Sequence, residues 1–260
     1  MSYLVIARKY RPKTFDEVVG QGHVSRTLKN AIKIGRIAHA YLFSGPRGVG
    51  KTTVARIMAK ALNCENGPTP DPCNKCKMCT GINEGSVTDV YEIDGASNTG
   101  VDDIRELRDN VRYLPASGRY NIYIIDEVHM LSINAFNALL KILEEPPAHV
   151  IFIFATTEPH KIPVTILSRV QRFDFRRLSL AEITGSLSQI AKEEGIKITD
   201  GALIIISREA EGSMRDAQSL MDQVVGFAGK EVTEADVREV LGLTDRELLF
   251  RMAGALMKKD

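Results

Sequence analysis

Residues 45–52 read Gly45-Pro46-Arg47-Gly48-Val49-Gly50-Lys51-Thr52, and this octapeptide sets the architecture of the chain around it. It matches G-x-x-x-x-G-K-[ST] and lies between an apolar run that ends at Phe43 and a segment of good helix formers that begins at Lys51. A strand, a glycine-rich turn and a helix in this order predict a loop whose backbone N–H groups and helix dipole surround phosphate oxygens. A chance match in a glycine-rich turn is the alternative, and the flanking strand and helix argue against it.

The chemistry expected of this loop is the binding of a nucleoside triphosphate. Lys51 would reach the β- and γ-phosphates, and the Thr52 hydroxyl would be a ligand of Mg²⁺. ATP and Mg²⁺ are therefore the expected cofactors. The loop residues predicted to contact the nucleotide are Gly45, Pro46, Arg47, Gly48, Val49, Gly50, Lys51, Thr52 and Thr53.

A second motif complements the loop. The apolar run 121–125 is followed by Asp126 and Glu127, and α/β sheets place their ligands at the C-terminal ends of the strands. Asp126 would orient Mg²⁺ and its waters, and Glu127 would polarise the water that attacks the γ-phosphate. An acidic pair after a strand is by itself usually a solvated loop, but the upstream phosphate-binding loop favours the catalytic interpretation. The continuation Val128-His129 gives D-E-x-H, which helicases also contain.

Strand and helix patterns alternate up to residue 178, and helical patterns alone follow. Strands that are apolar on both faces and separated by helices predict a parallel sheet covered on both sides. We expect an α/β domain at 1–178, with a zinc-binding insert at 64–79, a small all-helical domain at 179–242 and the start of a truncated helical domain at 243–260. The predicted strands are 40–43, 87–93, 121–125, 150–155 and 172–175, and a helix is predicted at 101–111.

Capping signals mark the helices of the second domain. Ser179 with Glu182 forms a capping box, and Asp200 opens a second helix. Ser213 with Asp216 opens a third. Further helix starts are predicted near Thr233 and Thr244.

Composition and charge limit the class of protein. The chain has 260 residues, 44% hydrophobic and 26% charged, with 34 basic and 33 acidic side chains and a formal net charge of +1. This balance excludes a protein that coats DNA through its overall charge, so contact with nucleic acid is expected through a local patch or an assembly. The first residues lack a signal-peptide core, and no apolar stretch is long enough to span a bilayer. We expect a soluble, cytoplasmic protein with no membrane partner.

All the cysteines lie in one short segment, as Cys64-x8-Cys73-x2-Cys76-x2-Cys79. Four thiolates can close the tetrahedral shell of a Zn²⁺ ion, and the two C-x-x-C steps let neighbouring sulfurs converge. Four protein ligands leave no position for water, so a structural zinc site is expected. A redox pair or disulfide and an iron–sulfur cluster are the alternatives, although a disulfide framework would be spread more widely along the chain.

Several further segments carry a family resemblance. They are 8–21 (RKYRPKTFDEVVGQ), 136–141 (FNALLK), 143–147 (LEEPP), 155–158 (ATTE), 168–169 (SR) and 212–217 (GSMRDA). Together with the two nucleotide motifs they resemble AAA+ clamp-loader subunits, and the cysteine insert is similar to that of the gamma/tau family of bacterial DNA polymerase III. The resemblance covers nearly the whole chain. It implies a P-loop AAA+ domain with a five-stranded parallel sheet, a helical lid and an oligomerisation collar beyond it.

The resemblance also implies roles for single residues. Thr157 would be the polar sensor between the γ-phosphate and the attacking water, Arg215 the second sensor on the lid, and Arg169 an arginine finger acting on ATP of the neighbouring subunit. The family motif at the finger is Ser-Arg-Cys, and Val170 replaces the cysteine as a change in packing. For both arginines the alternative is a surface salt bridge worth little. The opening segment would surround the adenine rather than form a flexible basic arm, with these residues nearest the base: Tyr10, Arg11, Pro12, Val18 and Val19.

The implied activity is ATP hydrolysis that opens and closes a ring-shaped sliding clamp on DNA, within the DNA polymerase III holoenzyme. The implied partners are other clamp-loader subunits, the sliding clamp and primer–template DNA, in a hetero-oligomeric ring of the full-length protein. This fragment alone is expected to be monomeric or weakly associated and a weak ATPase. A DNA helicase or branch-migration motor is one rival, against which the cysteine insert argues. A non-hydrolysing adaptor is another, against which the intact nucleotide motifs argue.

Five residues are candidates for contacts with DNA or the clamp. Arg105 and Lys161 are candidates for DNA contacts, with solvated surface charges as the equal alternative. Met130, Leu131 and Ile133 would form a clamp-contacting knob or pack in the core.

Overall fold

The computed structural model describes residues 4–97, 107 and 110–243, which form two compact units. The larger unit holds, among the described residues, 12–97, 107 and 110–177. The smaller holds, among the described residues, 4–11 and 178–243.

Strands and helices alternate in the larger unit, and helices dominate the smaller one. The helices are α1 Ile6–Lys9, α2 Gly22–Lys33, α3 Lys51–Asn63, α4 Lys77–Glu84, α5 Ile133–Glu144, α6 Val164–Leu167, α7 Leu180–Glu194, α8 Asp200–Glu209, α9 Met214–Ala228 and α10 Glu234–Val240. The strands are β1 Ala40–Ser44, β2 Val90–Asp94, β3 Asn121–Asp126, β4 Val150–Thr156, β5 Gln171–Asp174, β6 Lys197–Ile198 and β7 Glu231–Val232. Two 3₁₀ turns, Val128–Met130 and Pro159–Lys161, follow β3 and β4.

The larger unit is built on a parallel five-stranded sheet with the order β2-β3-β4-β1-β5, which confirms the predicted fold class. Every residue of β1 and β4 is buried, because alternate side chains enter two apolar clusters. Tyr41 and Phe43 belong to the cluster that includes side chains of α2 and α3, whereas Leu42 belongs to the cluster with α5. Parallel pairing brings the carboxyl ends of β1, β3 and β4 to one edge of the sheet, with Ser44 opposite Thr156.

Local sequence signals explain where α5 begins and ends. Ser132 is the N-cap, and its side chain accepts a hydrogen bond from the N–H of Ala135 at 3.2 Å. The helix ends at Glu144, just before Pro146 and Pro147, because proline cannot supply the N–H that a helix interior needs. Its apolar face packs on the sheet.

The helical unit contains the predicted capping motifs. Ser179 and Glu182 form a reciprocal capping box at the start of α7, and Ser213 accepts from the N–H of Asp216 at the start of α9. Thr199 rather than Asp200 is the N-cap of α8, since Asp200 is already helical. The short parallel pair β6–β7 was not predicted from the sequence.

The segment 4–11 packs with the helical unit, although the sequence led us to place it in the α/β domain. The N–H of Ile6 donates to Asp222 Oδ2 at 2.7 Å, and the Tyr10 hydroxyl donates to Glu194 Oε1 at 2.7 Å. Ile6 is buried. These contacts span about two hundred residues of sequence and correct the predicted domain assignment of this segment.

Some predictions fall outside the described residues. Most of the helix predicted at 101–111 and all of residues 244–260, which contain the start of the predicted third domain, belong to this group. Within the described part of the chain, none of the helices combines the length and apolar character needed to span a bilayer.

Candidate functional site

The loop 45–52 joins β1 to α3 and depends on glycine at defined points. Gly48 and Gly50 have φ values of 74° and 104°, which side-chain-bearing residues rarely adopt. At Gly45, with φ of 145°, an added Cβ would lie 2.4 Å from the carbonyl oxygen of Phe175. Phe175, the residue after β5, donates its N–H to Ser44 O. The backbone after β5 therefore lies directly against the start of the loop. The backbone thus has the shape that a phosphate-binding loop needs.

Lys51 is the first residue of α3, and its side chain returns over the loop. Its Nζ donates to Gly45 O at 2.8 Å and to Pro46 O at 2.7 Å, and the residue is 6% exposed. Burial lowers the pKa of Lys51, and the nearby carboxylates of Glu127 and Asp126 oppose this shift. A buried, desolvated ammonium is a strong partner for phosphate oxygens.

Thr52 and Asp126 meet as predicted for a Mg²⁺ site. The Thr52 hydroxyl donates to Asp126 Oδ2 at 2.5 Å, and Asp126 Oδ1 accepts from the N–H of Glu127 at 3.0 Å. Hydroxyl and carboxylate oxygens are the hard donors that Mg²⁺ prefers. The donor set therefore fits the ion, and these two residues would hold it.

Glu127 and Thr157 also lie together, at the ends of β3 and β4. Glu127 has φ of 45°, an unusual value for a residue with a side chain. The Thr157 hydroxyl donates to Glu127 Oε2 at 3.0 Å, and the Thr157 N–H donates to the same oxygen at 3.3 Å. The sequence-predicted base and polar sensor are thus in direct contact.

Two residues of this region, His129 and Gly95, were missed as functional candidates. The imidazole of His129 is buried next to Glu127, and Glu158 lies on its other side. The only sequence signal was the D-E-x-H pattern, which does not reveal what the histidine contacts. Gly95 was also missed: a Cβ there would lie 2.7 Å from Glu127 O, so this glycine lets the loop after β2 approach the acidic pair.

The residues predicted to surround the adenine are divided between the two units. Val18 is 9% exposed and lies beside the phosphate-binding loop, since its Cγ1 would be 3.9 Å from a Cβ on Gly50. Tyr10 belongs to the helical unit, where burial and the Glu194 carboxylate raise the pKa of its hydroxyl. Arg215 is exposed in the first turn of α9, also in the helical unit. The remaining predicted residues are Arg11 in the helical unit and Pro12 and Val19 in the larger one.

Arg169 lies on the surface of the larger unit after α6. Its guanidinium donates to Glu144 Oε1 at 2.8 Å and to the carbonyl of Thr165 at 2.7 Å. The side chain is 32% exposed, and the following residue, Val170, packs against the apolar cluster below it. The guanidinium of Arg169, the arginine-finger candidate, is thus held by hydrogen bonds and remains partly exposed to solvent.

The cysteine segment folds into one compact cluster at the end of α3. The Sγ atoms of Cys64, Cys73, Cys76 and Cys79 all lie within 4.8 Å of one another, and all four are free thiols. Four sulfurs at 2.3 Å from a tetrahedral Zn²⁺ are about 3.8 Å apart, close to the 4.0 Å between the Sγ atoms of Cys73 and Cys79. The cluster therefore fits the metal in number, softness and spacing of its donors.

Backbone N–H groups of the two C-x-x-C turns donate to the sulfurs of Cys73 and Cys76. Cys73 Sγ accepts from the N–H groups of Lys75 and Cys76, which lower its pKa to about 6. Burial raises the pKa of Cys79 instead. Lys60 of α3 connects the cluster to the helix: its Nζ donates to Asn74 Oδ1 at 2.7 Å and to Lys13 O at 2.8 Å.

The candidates for DNA and clamp contacts are only partly described. Lys161 is exposed and pairs with Glu158 at 2.7 Å, whereas Arg105 lies outside the described residues. Met130 and Ile133 are 47% and 76% exposed, but Leu131 is buried in the core. An apolar knob at this position would therefore consist of Met130 and Ile133 without Leu131.

Similar folds occur among solved structures. The RuvB Holliday junction branch migration motor of Thermotoga maritima has a TM-score of 0.66 and 20% identity over 90% of this chain and 72% of that chain. At this identity the likeness concerns the fold alone. With the P-loop and the helical second unit, it defines the chain as a P-loop protein of the AAA+ class.

Family models and curated relatives specify the class further. A model described as DNA polymerase III, delta subunit, matches residues 20–179, and one described as DNA polymerase III clamp loader subunit, ATPase lid domain, matches residues 182–230. The gamma subunit of DNA polymerase III from Buchnera aphidicola subsp. Baizongia pistaciae is 47% identical over all of this chain and 70% of its own length. The tau subunit from Bacillus subtilis is 52% identical over all of this chain. The chain belongs to the gamma/tau family of DNA polymerase III clamp-loader subunits, and it spans 46% of the length of the B. subtilis relative.

Proposed function

We propose that the chain is the ATP-hydrolysing motor module of a DNA polymerase III clamp loader, which places a sliding clamp on primer–template DNA. The observation that carries this proposal is the pairing of Thr52 with Asp126 and of Glu127 with Thr157 around the loop that holds Lys51. An adaptor that does not hydrolyse ATP has no use for this complete set. The family membership supports the clamp as the target.

Each residue of the site has a separate role in the proposed hydrolysis of ATP. Lys51 binds and neutralises the β- and γ-phosphates, and the loop N–H groups orient them. Thr52 and Asp126 would hold Mg²⁺, which supplies positive charge to the phosphate oxygens. Glu127 accepts a proton from the attacking water, and Thr157 keeps the Glu127 carboxylate in place. Phosphoryl transfer of this kind depends mainly on positioning and electrostatics, which matches a site built from fixed contacts.

Arg169 is proposed to complete the site of a neighbouring subunit. Its support is its place at the surface, where Glu144 and the Thr165 carbonyl hold the guanidinium in a defined direction. Arginine fingers supplied by a neighbour accelerate turnover by about a thousandfold or more. The chain alone should therefore hydrolyse ATP slowly, with Arg215 acting as the sensor on the lid.

The role of Arg169 is tested in a reconstituted loader of full-length chains with its partner subunits. Arg169→Ala should reduce steady-state ATP turnover of the assembly by about a thousandfold and leave the slow turnover of the isolated chain unchanged. Arg172→Ala, a change of a nearby exposed arginine, is the control. Equal turnover of the assembly and the isolated chain would exclude the role in trans.

The motor function itself is tested with Glu127→Gln. This variant should bind MgATP with near wild-type affinity but hydrolyse it at least about 100-fold more slowly, and release of the loaded clamp should stop. Glu84→Gln, an exposed change at the end of α4, is the matched control. Normal clamp loading by Glu127→Gln would support the adaptor alternative, and strand displacement or branch migration without a clamp would support the helicase alternative.

A further inference from the structure

His129 lies between two carboxylates next to the proposed catalytic base. Its Nδ1 is 3.3 Å from Glu127 Oε2, and its Nε2 is 3.5 Å from Glu158 Oε1. The His129 side chain is only 6% exposed, whereas those of Glu127 and Glu158 are 30% and 36% exposed, so the contacts are shielded from water on the histidine side. Electrostatic contacts gain strength in such surroundings.

The backbone brings His129 to this position through an abrupt change of direction. Glu127 has φ of 45°, and the 3₁₀ turn Val128–Met130 follows at once. The turn directs the imidazole toward the end of β4, where Nδ1 lies 3.0 Å from the hydroxyl of Thr156. Thr156 is fully buried, and its Oγ1 also accepts the N–H of Glu158. The ring is therefore held by a hydrogen bond to the end of β4, and it lies beside the Glu127 carboxylate.

The contacts of Glu127 are concentrated on one of its two oxygens. Oε2 lies against the Thr157 hydroxyl at 3.0 Å, the Thr157 N–H at 3.3 Å and His129 Nδ1 at 3.3 Å. Within the described part of the chain, no such contact involves Oε1. A carboxylate anchored through one oxygen presents the other in a defined direction.

We propose that His129 is a positioning residue for Glu127, anchoring Oε2 together with Thr157 so that Oε1 serves as the base. The inference rests on the proposed ATP hydrolysis and deepens it. In the reaction the attacking water gives a proton to Oε1, its oxygen forms a bond to the γ-phosphorus, and the bond from that phosphorus to the β–γ bridging oxygen breaks. His129 takes no proton from the substrate, and its effect is on the geometry of Glu127.

A purely structural histidine would make the same hydrogen bond to Thr156 and the same close approaches to Glu127 and Glu158 without affecting the chemical step. Two substitutions separate these roles, because each places an amide nitrogen near the position of one of the two ring nitrogens. His129→Asn places an amide nitrogen near the position of Nδ1, facing Glu127, and His129→Gln places one near Nε2, facing Glu158. His129→Ala removes both. If the Nδ1 contact positions the base, only the asparagine variant retains hydrolysis.

The experiment is single-turnover hydrolysis of labelled ATP with Mg²⁺ and the chain in excess, combined with equilibrium binding of ATP. Small misplacements of a catalytic group can reduce rates by about a hundredfold. We expect His129→Ala and His129→Gln to be about 10- to 100-fold slower and His129→Asn to stay within about threefold of wild type. ATP affinity should change less than about twofold in all three, since the polar partners of His129 are Glu127, Thr156 and Glu158 rather than residues of the loop 45–52.

A double-mutant cycle gives the second readout. In a Glu127→Gln background His129→Ala should cause no further slowing, because the base it positions is already lost. Equal rates for the asparagine and glutamine variants, or a full additional loss in the Glu127→Gln background, would overturn the proposal. Failure of the proposed function looks different: wild type would not hydrolyse ATP, or Glu127→Gln would be as fast as wild type.

Discussion

Helix α3 carries a buried lysine near each end, and the two make different kinds of contact. Lys51 at the N-terminal end bonds the carbonyls of its own loop, Gly45 and Pro46, within six residues of sequence. Lys60 at the C-terminal end bonds Lys13 O and Asn74 Oδ1, in two segments remote from the helix. Burial lowers the pKa of both, to about 8 for Lys60. The same residue type on one helix thus serves a ligand loop at one end and joins segments of the fold at the other.

The surroundings of the two ends show the same division. The N-terminal end follows glycines with positive φ, and its N–H groups carry the positive end of the helix dipole. At the C-terminal end, Arg119 donates to the carbonyls of Cys64 and Glu65 and so neutralises the negative end of the dipole. Cys64 is the C-cap residue and a member of the cysteine cluster. One end is arranged to receive an anion, and the other is closed by the protein itself.

The largest expected effect is on thermal stability, and it concerns the C-terminal end of α3, where the cysteine cluster would bind a metal ion. We predict that the purified chain contains one Zn²⁺ and that Cys79→Ser loses it. A site saturated about a thousandfold above its Kd contributes about 4 kcal/mol of stability, which corresponds to roughly 10 °C in Tm for a chain of this size. ATP binding measured below the new Tm should remain, because Lys51 lies at the other end of the helix.

Met78→Leu is the control for this variant, since Met78 is buried beside Cys79 but offers no thiolate. Elemental analysis and thermal unfolding with and without a chelator provide the measurements. Absence of stoichiometric zinc from the wild-type chain, or a chelator that changes nothing, would show that the cluster does not hold this metal.

The second prediction concerns the N-terminal end of α3, which carries Lys51. Lys51→Met should weaken MgATP binding by at least about 100-fold, because each charge-assisted hydrogen bond contributes about 1.5–3 kcal/mol. The free energy of unfolding without nucleotide should change by less than about 1 kcal/mol, since the loop carbonyls are partly exposed and water can replace the amine. Isothermal titration and urea unfolding measure the two quantities. Unchanged ATP affinity would remove Lys51 from the phosphate site.

These contrasts also show what the sequence could predict. The loop and the acidic pair were recognisable because each consists of residues adjacent in sequence, and parallel strands bring their carboxyl ends together. The cysteine spacing similarly predicted that Cys64 would join the other three. In each case a short motif contained most of the geometry.

Contacts between distant residues left no such signal. The link from Lys60 to Lys13 and Asn74 depends on three segments meeting in the fold, and a lysine in an amphipathic helix is usually a surface residue. The position of His129 between Glu127 and Glu158 depends on a turn with an unusual φ at a glutamate. The packing of residues 4–11 on α9 through Asp222 joins opposite ends of the sequence. Periodicity and composition do not encode any of these contacts.

The third prediction, with the smallest expected effect, tests whether Lys60 stabilises the fold by connecting α3 to the segments of Lys13 and Asn74. Lys60→Met keeps the apolar stem but removes the amine, which leaves Lys13 O and Asn74 Oδ1 without this donor. The variant loses two partly buried hydrogen bonds, each of which contributes about 0.5–1.5 kcal/mol net, although removal of a desolvated charge offsets part of this loss. We therefore expect the free energy of unfolding to fall by about 1–2 kcal/mol with unchanged MgATP affinity. Lys29→Met is the matched control, since Lys29 pairs with Asp16 and Asp71 at the surface and such pairs contribute little. If Lys60→Met weakened ATP binding as strongly as Lys51→Met, the two ends of α3 would not be separable in function.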